Sequence, residues 1–490
     1  MNTKIGSVTD VKRSIGNNDY KIFGIGGTPI TRAEIYSLID DFELICTVPS
    51  GDLACVQKKL RVTCFEMRNE KGFYVKKPDK ILANPKVVEH IKERSKNKKV
   101  GILLMKPTKK ATEICERNGW TLLGNKDEIV KKYNNKNEFQ ELLKKINVPT
   151  NAISVNLTEL PKELNSAFEK LGNDIVIQLP ESCGGRGTFF FNKKQQEEIP
   201  TLIKKRVKTL NEDVPDDSRV VINSFFEGPS LSSLGCVTKE NGTISCDPQY
   251  QLIGIEKVTC GKTDATGVFC GNDWVLSNDI PNNIKEQSQE ITEKIGNKLK
   301  ENEVFGIFGV DYIWDKKRDV LVPNEINVRI TGAFPTIVFS QLEAGTVPLI
   351  AFHVLDFLDI SYSLKDSEIY NNRKRKKGAH LILFNPKRHD VVCGNEISGG
   401  VYSLDKEKHV KFERLGFEFN DIKNPKEFII TDGIPSKGVV RKKNKKIVKI
   451  ITKETICKSP QKLNRWGNEI VTATYEALDL KKKKERLEII

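Results

Sequence analysis

Several features that would indicate a membrane, secreted or zinc-binding protein are missing from this 490-residue chain. No stretch approaches the roughly 18 consecutive apolar residues that a membrane-spanning helix needs. The start, "MNTKIGSVTDVKRSIGNNDY", has no apolar segment after its basic residues, so we expect no secretory leader. The 11 cysteines form no CxxC pair and have no histidine cluster nearby, which indicates reduced thiols in a cytoplasmic protein.

Acidic residues are fewer than basic ones. The chain has 65 Asp and Glu residues and 80 Lys and Arg residues, which gives a formal charge of +15. The lysines are spread through the chain, and the densest runs ("RKRKK" at 373, "RKKNKK" at 441, "KKKK" at 481) lie in polar or terminal stretches. Solvated loops explain this pattern at least as well as a nucleic-acid surface, so we do not expect nucleic-acid binding. Such a protein would attract anionic small molecules.

The chain is too long for one ordinary domain, and its pattern changes twice. Residues 1–125 alternate apolar runs such as "YKIFGIGG", "FELICTV" and "VGILLM" with the helical candidates "TRAEIYSLID", "KVVEHIKERS" and "KKATEICERN". This alternation predicts a doubly wound, mostly parallel sheet. Gly24, Gly26 and Gly27 lack the third glycine of GxGxxG, so we interpret "GIGG" as a tight turn.

The remaining chain predicts a two-lobed α+β domain followed by a small β-rich cap, which gives an α/β protein overall. A charged helical segment, "KDEIVKKYNNKNEFQELLKKI", opens the second region, and strands, a glycine-rich loop, a long helix and a hairpin follow. Short β-like runs such as "GAHLILF" and "EFIITDG" fill the last part. The predicted domains are 1–125, 126–365 (lobes of about 126–225 and 226–365) and 366–490.

The stretch "LVPNEINVRITGAFP" carries polar residues at every second position of an apolar strand. Glu325, Asn327 and Arg329 would line one face of that strand, either as a half-exposed edge or as a site. If "DKKRD" forms a turn centred on Arg318, Asp311 lies opposite Glu325. Paired carboxylates beside an amide oxygen suit Mg²⁺, whereas without a cation they would repel each other.

A second motif, "ESCGGRGT" at residues 181–188, lies between two β-like runs. Its glycines allow successive N–H groups to surround phosphate oxygens, and Arg186 adds a positive charge. It is not a Walker A loop, because it has no GK[ST] and leads into a strand. An ordinary glycine-rich hairpin is the alternative.

Together these motifs resemble the ATP-grasp superfamily and its carboxylate–amine (peptide or amino-acid) ligases over roughly residues 20–360, most specifically in "GVDYIWD…NEINVRITG". The resemblance implies ATP and two Mg²⁺ ions, with Mn²⁺ as a substitute. It assigns the metal to Asp311, Glu325 and Asn327, and it places Arg329 at the substrate carboxylate or the transferred phosphate. Lys136, thirteen residues before Pro149, has the spacing of the family's phosphate-binding lysine.

The same resemblance assigns the rest of the nucleotide site. The flexible glycine loop corresponds to Ser182–Thr188, and Arg186 within it would act on the phosphates. "NSFFEGP" is similar to the adenine hinge, where Asn223 replaces the usual acidic residue. One departure is that Gln178 stands where a second phosphate-binding lysine is expected. The nucleotide-binding residues are therefore predicted to be Lys136, Gln178, Ser182, Gly184, Gly185, Gly187, Thr188, Asn223, and the backbone of Ser224 and Phe226.

The resemblance implies a reaction in which ATP activates a small carboxylate as an acyl phosphate and a small amine then forms an amide. The chain has neither a second ATP-grasp copy, as in carbamoyl-phosphate synthetase, nor the "VEH" stretch of biotin-dependent carboxylases; "TGAFPT" follows Arg329 instead. His353 is expected to be a packed helix residue. A macromolecular substrate, a regulatory nucleotide-binding protein without turnover and a homodimer remain open alternatives.

Overall fold

The computed structural model describes residues 3–181, 187–210, 214–215, 217–260, 267–364 and 376–483. The predicted α/β architecture is confirmed within these ranges. None of the helices described there combines the length and the apolar composition that crossing a membrane requires.

The N-terminal region is built on five parallel strands in the order β4–β3–β2–β5–β6. Its elements are β1 (Thr3–Ile5), α1 (Val8–Gly16), β2 (Tyr20–Ile25), β3 (Phe42–Cys46), α2 (Leu53–Gln57), β4 (Arg61–Cys64), α3 (Pro78–Leu82), α4 (Pro85–Ser95), β5 (Lys99–Leu103), α5 (Lys109–Asn118) and β6 (Thr121–Leu123). The chain changes direction across the sheet between β2 and β5. In such sheets ligands bind outside the carboxyl ends of the strands at this switch point.

The predicted helix at "TRAEIYSLID" is wrong, because the structure has only a short 3₁₀ turn there, Ala33–Ser37. Arg32, immediately before the turn, has a left-handed backbone with φ of 73°. The apolar side chains of this stretch are buried in one core on several sides, including Ile30, Ile35 and Leu38. A surface helix exposes one polar face to solvent, and this segment has no such face.

The next region begins with two helices and a four-stranded antiparallel sheet of order β7–β10–β8–β9. Its elements are α6 (Asp127–Asn134), α7 (Lys136–Lys145), β7 (Ala152–Asn156), α8 (Leu160–Leu171), β8 (Asp174–Gln178), β9 (Thr188–Asn192), α9 (Ile199–Leu210) and β10 (Arg219–Ser224). The charged segment predicted as one helical stretch is divided at Asn135, whose backbone is extended and whose side chain caps α7 through the Asn137 N–H. This break places Lys136 in the first turn of a helix.

A large antiparallel sheet carries the hairpin identified in the sequence. The elements are β11 (Ser230–Val237), β12 (Thr243–Ser245), β13 (Gln249–Ile253), β14 (Phe269–Asp273), α10 (Asn282–Glu301), β15 (Gly306–Asp315), β16 (Val320–Asn327), α11 (Phe334–Glu343), α12 (Leu349–Phe357) and β17 (Tyr362–Leu364). The sheet runs β16–β15–β11–β13–β14, with β12 on β11. The long helix α10 packs against β11, β12 and β16.

The C-terminal strands continue the same sheet through β18, β24, β22, β20 and β21. The elements are β18 (Ala379–Phe384), β19 (Val391–Cys393), β20 (Gly400–Leu404), β21 (Val410–Arg414), β22 (Phe428–Thr431), β23 (Val440–Arg441), β24 (Lys446–Thr452), β25 (Cys457–Ser459), β26 (Lys462–Leu463), α13 (Arg465–Leu478) and β27 (Leu480–Lys482). This region is β-rich, as predicted, and it is hydrogen-bonded to the preceding region along β14. The domain boundaries themselves stay predictions.

His353 on α12 is a packed helix residue, as the sequence predicted. Its Nδ1 accepts the Ile307 N–H at 3.1 Å, and its Nε2 lies 3.2 Å from the Leu123 carbonyl. Burial lowers the pKa of His353 to about 4, so the ring is neutral near neutral pH. The imidazole thereby joins the large sheet to the last strand of the parallel sheet.

A buried carboxylate joins the N-terminal region to the C-terminal strands. Asp52, fully buried, accepts the hydroxyls of Ser50 and Thr431 and the three consecutive N–H groups of residues 432–434, at 2.7–3.2 Å. These bonds hold the turn that follows β22 in place. That turn carries Asp432 with φ of 72° and Gly433 with φ of 91°, which is left-handed backbone that needs such support.

We expect Asp52→Ala to lower the free energy of unfolding by roughly 3 kcal/mol or more, because three backbone N–H groups lose a fully buried acceptor. Urea unfolding followed by far-UV circular dichroism measures the change. Asp40→Ala is the control, since Asp40 is exposed and pairs only with Lys12 in the described structure. Equal stability of the two variants would contradict the proposed role of Asp52 in holding the turn after β22.

Candidate active site

The hairpin β15–β16 pairs Asp311 with Glu325, as the sequence predicted. The turn is nevertheless not centred on Arg318, because Asp315 pairs with Val320 and the register near the turn is shorter by one residue. A bulge at residue 324 supplies the missing residue and brings the two carboxylates into register. The predicted pairing of Asp311 with Glu325 is therefore confirmed, whereas the predicted centre of the turn is wrong.

Four side chains form a group on this hairpin and on β13, which lies beyond β11 in the same sheet. Gln251 on β13 donates to Asp311 Oδ1 at 2.9 Å. Asn327 Nδ2 lies 3.4 Å from Glu325 Oε1, so the amide contacts the second carboxylate. Burial and the adjoining Glu325 carboxylate raise the pKa of Asp311. The positive charges of Arg329 and Lys136 oppose this effect only in part. The two carboxylates are thus held together at an electrostatic cost that a bound cation would remove.

Lys136 reaches this group from the first turn of α7. Its Nζ lies 3.4 Å from Glu325 Oε2, and its side chain is 2% exposed. Its N–H donates to the Pro180 carbonyl at 3.1 Å, immediately before the glycine loop. Lys136 therefore contacts Glu325 through its buried ammonium group and the root of the loop through its backbone.

Arg329 closes the other end of the group. Its Nη2 donates to Asn327 Oδ1 at 3.0 Å, and its Nη1 donates to the Ile330 carbonyl at 3.1 Å. These bonds fix the plane of the guanidinium group beside the amide. The alternation noted in the sequence, with Glu325, Asn327 and Arg329 at every second position, thus brings all three side chains together.

The glycine loop lies mainly outside the described residues. Ser182, Gly184, Gly185 and Arg186 fall in the undescribed range 182–186. At the end of the loop, Gly187 accepts the Leu179 N–H through its carbonyl at 2.9 Å. Thr188, at the start of β9, pairs with Gln178 at the end of β8, so the loop joins two adjacent strands.

Gln178, where the family lysine was expected, takes part in an amide network. Its Oε1 accepts the Asn223 Nδ2 donor at 3.0 Å, and its Nε2 lies 3.5 Å from Thr188 Oγ1. The side chain is 2% exposed. A lysine cannot accept the Asn223 hydrogen bond, so Gln178 and Asn223 match each other chemically.

The predicted hinge begins in the last residues of β10, where Ser224 lines the cavity. Its N–H donates to the Asn151 carbonyl at 3.2 Å, and its hydroxyl donates to the Leu171 carbonyl at 2.7 Å. The Ser224 N–H is therefore already paired within the protein. Phe226 lies further along the hinge and lines the adjoining cavity.

Sequence reasoning missed two aromatic side chains in this region. Phe190 and Phe225 are 40% and 46% exposed, and their rings meet edge to face at 6.0 Å. Both line the cavity between the lobes. The alternation of "TFFF", where Phe189 and Phe191 are buried and Phe190 is not, is the signal that would have identified the first of them.

One cavity of about 1360 Å³ joins these groups. It is lined by Asp311, Glu325, Asn327 and Arg329 at one side and by Gln178, Thr188, Asn223 and Phe226 at the other. The structure therefore brings together the predicted metal ligands and the described part of the predicted nucleotide site. Gln251 and Met105 also line it, and no sequence motif predicted either residue.

Comparison with known sequences finds a family match in the region that carries these residues. Residues 132–333 match the ATP-grasp domain family. The carbamoyl phosphate synthase large chain of Clostridium acetobutylicum is 21% identical over 349 residues, which cover 68% of this chain. The chain spans only 29% of that relative's length.

Solved structures of similar fold cover nearly the whole chain. The biotin carboxylase domain of 2-oxoglutarate carboxylase from Hydrogenobacter thermophilus, in complex with MgADP, ADP and bicarbonate, has a TM-score of 0.55 at 14% identity, covering 88% of this chain and 86% of that one. N5-carboxyaminoimidazole synthase from Aspergillus clavatus, in complex with ADP and 5-aminoimidazole ribonucleotide, has 0.54 at 13%, covering 94% and 99%. Phosphoribosylamine–glycine ligase from Thermotoga maritima has 0.54 at 14%, covering 94% and 97%.

At these identities the structural likeness establishes the fold. The sequence match to residues 132–333 falls on the segment that carries Lys136, Gln178 and the β15–β16 hairpin. The sequence match therefore assigns residues 132–333, and not the whole chain, to the ATP-grasp domain family.

Proposed function

We propose that the protein is an ATP- and Mg²⁺-dependent ligase that activates a carboxylate and joins it to an amine. The observation that carries this proposal is the adjoining Asp311 and Glu325 pair, which lines the cavity together with Arg329 and has the Lys136 ammonium group beside it. Charge of both signs is concentrated there within one partly enclosed space. Such an arrangement suits the transfer of a highly charged phosphoryl group.

The donor set of the site fits magnesium. Asp311, Glu325 and Asn327 offer carboxylate and amide oxygens, which hard divalent cations prefer, and none of these three donors is a sulfur or nitrogen ligand. Bound Mg²⁺, or Mn²⁺ in its place, would neutralise charge on the nucleotide phosphates. Two ions are expected, as the resemblance to the ATP-grasp superfamily implies.

The cationic residues have separate tasks in this proposal. Lys136, held between Glu325 and the root of the glycine loop, would bind the nucleotide phosphates. Arg186, outside the described residues, would add a second positive charge above them. Arg329, whose guanidinium plane is fixed by Asn327, would orient the substrate carboxylate or the transferred phosphate through paired hydrogen bonds.

The proposed reaction balances without a side-chain nucleophile. A carboxylate oxygen attacks the γ-phosphorus, the bond to the bridging oxygen breaks, and ADP leaves. The amine then attacks the acyl carbon, loses a proton and displaces inorganic phosphate, which leaves an amide. The partly enclosed cavity limits the access of water to the acyl phosphate.

The proposed function is tested by ADP and phosphate release from Mg-ATP across pooled small carboxylates and amines. Release that requires one acid and one amine together, with amide product detected by mass spectrometry, would establish the ligase. Product-free ATP cleavage, or silence with ATP still bound, would contradict a small-molecule ligase. ATP binding without release of ADP or phosphate would favour a macromolecular substrate or a regulatory protein.

The regulatory alternative rests on Gln178, an uncharged residue where a lysine was expected. We expect Gln178→Lys to tighten ATP binding by roughly fivefold, because an added positive charge near the phosphates outweighs the lost Asn223 hydrogen bond. Isothermal titration with ATP measures the change, and Gln178→Met, which removes the hydrogen bond without adding charge, is the control. Unchanged or weaker binding of the lysine variant would show that the amide network is needed for nucleotide binding.

A further inference from the structure

Four cationic side chains meet outside the carboxyl end of β2. Lys76 lies against the turn after β2, so closely that a Cβ on Gly27 would be 3.0 Å from the Lys76 side chain. Arg441 on β23 and Lys446 and Lys449 on β24 belong to the C-terminal region, in which Gly433 lies against Thr28 of this turn. We call this group of four the basic crevice.

Little negative charge balances the basic crevice. Asp432 contacts Lys446 at 2.5 Å and Lys449 at 3.2 Å. Within the part of the chain that the structure describes, Lys76 and Arg441 form no ion pair; Arg441 Nη2 lies 3.5 Å from the Gly433 carbonyl. Among the described residues, Asp432 is thus the only carboxylate that forms an ion pair with any of the four cations.

Two neighbouring buried acids, Asp52 and Glu34, form no ion pair with these four cations among the described residues. Asp52 uses both of its oxygens to accept hydrogen bonds from the turn after β22. Glu34 lies 3.6 Å from Arg32, and burial raises the pKa of its carboxyl group. Burial, together with the like charges of Arg441 and Lys446, lowers the pKa of the Lys76 ammonium group. The four cations therefore repel each other without a full set of counter-charges.

The basic crevice lies where the topology of the parallel sheet favours a ligand. It adjoins the carboxyl end of β2, at the switch point between β2 and β5. Met105, just beyond the end of β5, lines the large cavity, and so does Ile382, which is the cross-strand partner of Lys449 on one face of the large sheet. The cavity that contains the carboxylate pair thus extends towards the basic crevice.

We propose that the basic crevice binds an anionic group, a phosphate monoester or a carboxylate, at the far end of the acceptor substrate. Asp311 and Lys449 are five strands apart in the sheet, which is about 24 Å along a flat sheet and less across a curved one. The bound group is therefore an anchor and not the reacting end. Naming the ligand an acceptor rests on the proposed function, whereas the binding of an anion does not.

The test measures anion binding by the full chain without nucleotide or magnesium. Ribose 5-phosphate and succinate are the two probes, titrated calorimetrically at low ionic strength into wild type, Lys76→Ala and Arg441→Ala. We expect saturable binding of at least one probe and a dissociation constant raised roughly tenfold or more in each variant, as the loss of a charge-assisted hydrogen bond implies. Lys442→Ala, an exposed lysine of the same basic run, should change the constant less than about twofold.

The outcomes separate the two ligand sources and the two proposals. Binding of ribose 5-phosphate alone indicates a phosphorylated acceptor, and binding of succinate indicates an acid. Asp311→Asn should bind the probe like wild type, so a failed ligase assay leaves this inference standing. No saturable binding of either probe, or an equal loss in Lys442→Ala, would overturn it. Lys76→Gln and Arg441→Gln repeat the test if an alanine variant does not fold.

Discussion

Asp311→Asn is expected to reduce ADP formation by roughly a thousandfold, which corresponds to about 4 kcal/mol of lost transition-state stabilisation. The reason is geometric and electrostatic. Asp311 lies directly opposite Glu325, and this pair is the strongest local concentration of negative charge that lines the cavity. Removing one charge leaves a site that binds a divalent cation poorly at the place where phosphoryl charge must be neutralised. Steady-state ADP release at saturating ATP measures the effect.

A matched variant on the same hairpin isolates this effect from damage to the fold. Asp319 lies in the turn, has a left-handed backbone with φ of 55° and accepts the Trp314 indole N–H. Asn tolerates that backbone and keeps an acceptor oxygen, so Asp319→Asn should retain near-wild-type activity. Comparable losses in the two variants would point to the hairpin itself. Full activity in Asp311→Asn would remove the metal assignment.

Lys136→Met is expected to lower kcat/KM for ATP roughly a hundredfold, mostly through a higher KM. Methionine has a similar volume and fills the buried space, so packing is retained while the cation is lost. The ammonium group contacts Glu325 at 3.4 Å and adjoins the strand end that leads into the glycine loop. ATP titration by calorimetry and initial-rate kinetics would separate binding from turnover.

The control for this variant is a lysine on the preceding helix. Lys131 on α6 is 59% exposed and pairs with Asp127 one turn away. Lys131→Met should therefore change KM for ATP little, because an exposed pair within a helix contributes only a few tenths of a kcal/mol. If Lys136→Met bound ATP as wild type does, the phosphate role would have to be given to another cation.

The hairpin pair was predictable because both facts that determine it are local. A strand alternates its faces with a period of two, and a short polar turn sets the register of the two strands. Asp311 and Glu325 could therefore be paired from the sequence even though the bulge at residue 324 was not foreseen. Lys136 was assigned from the spacing that the family resemblance implies, because its contact with Glu325 joins segments that are far apart in the sequence.

The rest of the cavity depends on contacts between distant segments, which local patterns do not encode. Gln251 meets Asp311 across 60 residues of sequence, and Asp52 meets the Gly433 N–H across 381. The same limit applies to Lys76 and Arg441, which are ordinary surface lysine and arginine in the sequence. Only the packing of the parallel sheet against the C-terminal strands brings them together.

The strand pairing between β14 and β18 has a consequence for making shorter versions of the protein. A chain ended after β17 would leave β14 with an open row of N–H and C=O groups and would uncover Leu252 and Cys270, which pack against Leu381 and its neighbours. Open, apolar strand edges of this kind pair with other chains. A truncated product would therefore be prone to aggregate, and soluble fragments are better sought by cutting loops than by removing the C-terminal region.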